Sequence, residues 1–148
     1  MAEIGIDVTR IFDAPRERVW SEWVEPERFA DWFGGPEWKA PLETVSMDVR
    51  PGGAWRLSMF AETGRREIHW RGEYHEVVEP ERLVFTISDE PDGDTFELVT
   101  VVLTDLGDGR TSMHFQQSGG NLSAEQYKGA EQGWGGFFDR IAERLAAG

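Results

Sequence analysis

Between residues 42 and 118 the chain is a run of extended segments separated by turns too short for a crossover, which leaves very few folds open to it. Alternating, β-branched and aromatic stretches read as strands over residues 42–49, 54–61, 66–78, 83–88, 96–104 and 111–118. The breaks are Pro51-Gly52-Gly53, Thr63-Gly64, Glu79-Pro80-Glu81, an acidic turn from Asp89 to Asp94, and Gly107-Asp108-Gly109. Strands joined so tightly pair antiparallel. Such a sheet has one face that must be kept dry.

One element is large enough to cover that face. Trp134, Phe138, Ile141 and Leu145 recur at spacings of four, three and four and form one stripe of a C-terminal helix. Ser123-Ala124-Glu125-Gln126 reads as its capping box. Gly129, Gly133, Gly135 and Gly136 weaken the first half of this helix and predict a break or kink there. At the other end of the chain, residues 3–12 read as a strand on which Ile4, Ile6 and Val8 alternate with polar neighbours. Asp13-Ala14-Pro15 offers a cap and an early proline for a short helix bearing Val19, Trp20 and Trp23. Glu25-Pro26-Glu27 starts a second short helix bearing Phe29, Trp32 and Phe33, stopped at Gly34-Gly35-Pro36. The expected fold class is α+β. A curved antiparallel sheet of six to seven strands wraps a long C-terminal helix, and two short helices follow the first strand. With 148 residues, no linker and no repeat, the chain reads as a single domain over 1–148.

Charge and composition narrow the function. Fifteen basic and 28 acidic side chains give a net charge of −13, which repels phosphate backbones and anionic lipid heads. Nucleic acid and membrane insertion are therefore not expected. The absence of cysteine excludes a disulfide framework, a thiolate zinc site and a cysteine nucleophile. No signal peptide is read at Met1-Ala2-Glu3-Ile4 and no apolar stretch approaches the ~18–20 residues of a membrane span, so a cytoplasmic address is expected. Asn121-Leu122-Ser123 then matches a glycosylation pattern by chance. Phosphate loops, hydrolase elbows and zinc-protease motifs do not occur. His69 and His75 share one face of a strand and His114 faces outward from another, so no three-histidine metal site is expected. No catalytic residue, metal or cofactor is assigned. The acidic turn reads as solvated, and Glu67, Glu73 and Glu76 as wet-face residues.

The aromatic content, 12% with seven tryptophans, is high enough to imply either an unusually ring-rich core or a ring-lined cavity. The candidate ligand-binding set follows from phase along each element. The sheet supplies Trp55, Leu57 and Met59, then Tyr74 and Phe85, then Val101, Phe115 and Gln117. The helix supplies Gly133, Trp134, Phe138 and Ile141, with Gly133 letting it flex, and Trp32 and Phe33 flank the mouth. Gln117 is in phase with Met113 and Phe115, so its amide points inward and needs a partner. The expected ligand is a small hydrophobic molecule. Tyr74, Glu76 and Gln117 are the groups that would move protons if the cavity were an active site instead.

Several motifs occur in one order. They are Ile11-Phe12-Asp13-Ala14-Pro15 running into Val19-Trp20; Glu25-Pro26-Glu27 with Trp32-Phe33-Gly34; Pro51-Gly52-Gly53-Ala54-Trp55; Gly72-Glu73-Tyr74; Pro80-Glu81-Arg82-Leu83-Val84-Phe85-Thr86; and Gly133-Trp134 with Phe138-Asp139-Arg140-Ile141. Together, over residues 5–146, they resemble the START-like (SRPBCC) superfamily, in the subgroup named after the activator of the HSP-90 ATPase. The resemblance implies a helix-grip fold with a cavity beneath the long helix. Relatives of that kind bind lipids and hormones or cyclise polyketides. It also implies a possible chaperone partner, although the chain has no room for the eukaryotic activator's second, chaperone-binding domain. A monomer or weak homodimer is expected.

Overall fold

A computed structural model describes residues 5–33, 38–61, 66–89, 96–120 and 122–147. The elements run β1 (Ile6–Phe12), α1 (Arg16–Val24), α2 (Pro26–Trp32), β2 (Trp38–Lys39), a 3-10 turn (Leu42–Thr44), β3 (Ser46–Met47), β4 (Ala54–Ala61), β5 (Glu67–Val78), β6 (Arg82–Ile87), β7 (Glu97–Gly107), β8 (Arg110–Ser118) and α3 (Ala124–Ala147). The described strands form one antiparallel sheet in the order β1-β8-β7-β6-β5-β4-β2, with β3 also paired to β4. α3 lies across its inner face, and the fold is the expected helix grip. The N-terminal tetrapeptide, Gly34-Gly35-Pro36, Thr63-Gly64, Asn121 and residues 90–94 of the acidic turn lie outside the described residues.

Three local expectations need correction. The strand expected over residues 42–49 is a 3-10 turn followed by the two-residue β3. Thr44 is the reason: its hydroxyl donates to the Pro41 carbonyl (2.7 Å) and accepts from the Ser58 N–H (3.3 Å), where a ladder partner would otherwise sit. Asp13 does not cap α1. The helix begins after Pro15, whose carbonyl accepts from Arg18 and Val19, and no side chain caps it. The glycines do not break α3, which is continuous from Ala124 to Ala147. Each glycine costs roughly 1 kcal/mol against alanine. Burying Tyr127, Trp134, Phe138 and Ile141, at roughly 1.5–3 kcal/mol for a large apolar side chain, outweighs that. The capping box forms as expected: Gln126 N–H donates to Ser123 Oγ (3.2 Å) and Ser123 N–H to Gln126 Oε1 (2.8 Å).

Two contacts fix the frame. Trp55 on β4 reaches over Gly72 on β5 and donates its Nε1–H to the Thr86 carbonyl on β6 (2.9 Å). A Cβ at Gly72 would stand 1.7 Å from that carbonyl and 2.5 Å from the indole nitrogen, so position 72 admits only glycine. The second contact is Glu22, whose side chain is fully buried among α1, α2 and α3. Its carboxylate accepts from Arg18 (2.9 Å) and from Arg144 of α3 (2.5 Å), with Arg28 at 3.5 Å. Arg144 and Arg140 also meet Asp31 on α2. The Trp32 Nε1–H donates to the Glu22 backbone carbonyl (2.8 Å).

Gly72→Ala is expected to destabilise the protein by more than about 2 kcal/mol, because a carbonyl and a ring must both move, and denaturant unfolding measures it. Glu22→Ala is expected to cost about 3 kcal/mol. Arg144→Ala should cost less, since Arg18 and Arg28 still reach the carboxylate. Equal losses for the two variants would contradict the shared-carboxylate arrangement.

Candidate functional site

The core is not evenly filled. Along its middle, α3 is seated directly on the sheet. Phe115 stands 4.6 Å from Trp134 and 5.2 Å from Phe138, and Trp23 stands 4.9 Å edge-on to Trp32. Toward the N-terminal half of α3 the helix and sheet part. Between them lies a cavity of about 480 Å³. One end of the sheet makes its floor, where β5 begins (Trp70), β6 ends (Ile87), β7 begins (Glu97) and β8 ends (Gln117). The helix makes its roof with Gln126, Ala130, Gly133 and Phe137, and Phe33 and Leu122 close the sides.

The helical roof has a simple sequence cause. Gln126, Ala130, Gly133 and Phe137 recur at four, three and four, the same spacing as the packed stripe one position away. Two of the four are the smallest residues available. A Cβ at Gly133 would meet nothing within 4 Å. The space is left by residue size on a helix whose neighbouring stripe is fully seated.

The sequence-derived candidates separate into two groups. Phe33, Gln117, Gly133 and Trp134 border the cavity. Trp55, Tyr74 and Phe85 border a void of about 10 Å³, room for about one water, and Trp55 also borders a separate open cleft of about 750 Å³ with Gly72, His75 and Phe96. Trp32, Leu57 and Met59 are buried in the packed interior, as are Val101, Phe115, Phe138 and Ile141. Tyr74, Glu76 and Gln117 do not converge, since Glu76 is on the surface paired with Arg82 (3.2 Å).

Gln117, 6% exposed, finds two side-chain partners. Its Oε1 accepts from Trp134 Nε1–H (2.7 Å) and its amide nitrogen donates to Glu97 Oε1 (3.2 Å). Glu97 Oε2 is shielded from solvent and has no hydrogen-bond partner among the described residues, and the same holds for Trp70 Nε1. Glu97 sits close against Gly120, where a Cβ would fall 1.4 Å from Oε2. Burial, reinforced by the nearby Glu97 carboxylate, pushes the Tyr127 hydroxyl up to about 12. Burial first, then Asp48, also raises Tyr74.

Glu97, Trp70 and Phe137 were not among the sequence candidates, yet each carries a readable signal. Glu97 is in inward phase with Val99 and Val101, and Trp70 is in phase with Ile68 and Tyr74. A carboxylate on the inward phase of a strand is the kind of exception that marks a site.

A family model described as Activator of Hsp90 ATPase homolog 1-like protein matches residues 13–146. The chain belongs to this AHSA1-like family. Protein CV1439 from Chromobacterium violaceum superposes with a TM-score of 0.84 at 23% identity, covering 96% of each chain. Protein Ms6760 from Mycobacterium smegmatis gives 0.77 at 26% identity, over 97% of this chain and 92% of the other. The AHSA1-like protein from Aeromonas hydrophila gives 0.78 at 21%, over 96% and 93%. No curated protein matches the sequence. The helix grip seen here is therefore the AHSA1-like fold. Among the described residues no helix is long and apolar enough to cross a membrane.

The raised tyrosines predict an alkaline signature. Both of the chain's tyrosines have folded-state values above the ordinary ~10, so between ~10 and the folded value the unfolded chain holds fewer protons. Stability is then fully present below pH ~10 and falls as pH rises toward 12. Absorbance titration of phenolate should show neither tyrosine ionising near 10 in the native protein and both doing so in urea. Tyr127→Phe should lessen the alkaline loss of stability.

Proposed function

We propose that the protein is a single-domain binding module that takes up a small, largely apolar ligand in the cavity between the sheet and the N-terminal half of α3. The observation that carries this reading is the cavity itself. A volume of about 480 Å³ lies within the ~300–1,000 Å³ of small-molecule sites, and it persists beside an interior that is otherwise closely packed. Its walls combine rings and aliphatic groups with the polar side chains of Ser88, Asp89, Glu97, Gln117 and Gln126, the usual division between affinity and orientation. Gly133 on α3 supports the reading. A helix selected only for stability would carry alanine or leucine where nothing opposes a side chain. Affinity in the micromolar range is expected from a few buried apolar contacts.

The AHSA1-like match favours a second reading, contact with a chaperone. That reading expects the chain to change the ATP turnover of an Hsp90-type chaperone, and unchanged turnover removes it.

Tryptophan fluorescence, read against a panel of small apolar probes, tests the first reading. Gly133→Leu is the decisive variant. A Cβ there meets nothing within 4 Å, the longer side chain extends into the cavity, and helix propensity improves by about 1 kcal/mol, so the melting temperature should hold or rise. Probe affinity should fall at least about tenfold. A variant that binds as well as the wild type, or a wild type that binds none of the panel, overturns the reading.

A further inference from the structure

The outer face of the sheet carries a second concavity, and its charge is opposite to that of the cavity under α3. Arg56 alternates with the buried Trp55 and Leu57 on β4, and Arg71 with Trp70 and Gly72 on β5, so both guanidiniums rise from the face turned away from α3. The two arginines are direct cross-strand partners. They border an open cleft of about 750 Å³ together with His75, which is exposed at the bulge between Tyr74 and Glu76. On its other side Arg56 faces Ser46 of β3, and its outward neighbour along β4 is Ala54, so small side chains flank it in both directions.

That placement works against stability. Like charges directly opposite each other on a sheet repel, and in a chain with 28 acidic and 15 basic side chains an acid at position 56 would be the stabilising choice. Arg56 makes no hydrogen bond or ion pair with a described residue, and that includes Glu73, the acid in the described lining of the cleft. Arg71 lies over the ring of Phe96, 4.7 Å from its centroid, which sets the plane of one guanidinium. Thr86 Oγ1 accepts from the Glu73 N–H (2.9 Å), so its own hydroxyl hydrogen is left to donate into the cleft. The cavity under α3 is the reverse case, since the ionisable groups among its described lining residues are Asp89 and Glu97.

We propose that the outer cleft is a second binding site, for a small organic anion whose carboxylate or phosphate lies between Arg56 and Arg71. Two guanidinium forks rising side by side offer the paired N–H groups that either head group takes up. The cleft is large enough for the body of a small molecule as well as its head group. The site stands on its own residues and does not depend on what the cavity beneath α3 holds.

Nitrogen-15 spectra of the full chain test this with benzoate, phenyl phosphate and benzyl alcohol. The Nε–H signals of Arg56 and Arg71 and the backbone N–H of His75 report the cleft, and the Trp134 indole N–H reports the cavity on the other face. Both anions are expected to shift the cleft signals and leave the indole in place, and the tighter of the two identifies the head group. Benzyl alcohol should bind at least about tenfold more weakly than the tighter anion. Arg56→Gln should weaken that anion at least about tenfold, while its melting temperature holds or rises because a like-charged pair is removed. Arg71→Gln should weaken it similarly. Cleft signals unmoved by either anion, an alcohol that binds as well as they do, or affinity unchanged in both variants overturns the anion site and leaves the cavity reading as it stands.

Discussion

The long helix is held down by ion pairs at one end and by buried side chains along its length. Glu22, buried and shared by arginines from three helices, seats the C-terminal part of α3 against α1 and α2. Trp134, packed on Phe115 and bonded to Gln117, seats its middle. Beyond that point, toward Ala124, Tyr127 is the large side chain that is buried, and the stripe beside it, Gln126, Ala130 and Gly133, borders the cavity. The cavity is the space that Ala130 and Gly133 leave beside a seated stripe.

That arrangement explains why the glycines of α3 do not break it. A helix fixed at Arg144 and Trp134 and capped at Ser123 has little freedom to unwind between those points, whatever its local propensity. The glycines then affect shape more than continuity. Gly133 thins the helix on the side facing the cavity, while Phe137 and Trp134 supply the rings at its inner edge. Small residues and large ones on adjacent stripes of one helix divide the labour between room and contact.

Much of this was legible in the sequence. The strand over Ala54–Ala61, the capping box at Ser123 and the Trp134, Phe138, Ile141 stripe all follow from local period and local chemistry, and each stands where that chemistry puts it. What the sequence reading missed depends on partners distant in the chain. Thr44 ends a strand by bonding to Ser58, and Glu22 is tolerated in the interior because Arg144, arriving from 122 residues away, joins Arg18 and Arg28 on its carboxylate. The cavity is of the second kind. Phase alone says which residues face inward, and Trp55, Phe85 and Val101 do so. Which inward residues touch one another and which border empty space depends on where the helix is fixed.

Trp55 and Gly72 form a pair that ordinary drift cannot easily separate. The indole occupies the room a side chain at 72 would need, and it bonds to the strand beyond. Replacing the glycine strands the ring, whereas replacing the ring leaves a groove and an orphaned carbonyl at Thr86. Descendants of this chain therefore face a one-sided constraint: position 72 stays glycine whatever stands at 55, because the Thr86 backbone as well as the ring blocks a side chain there.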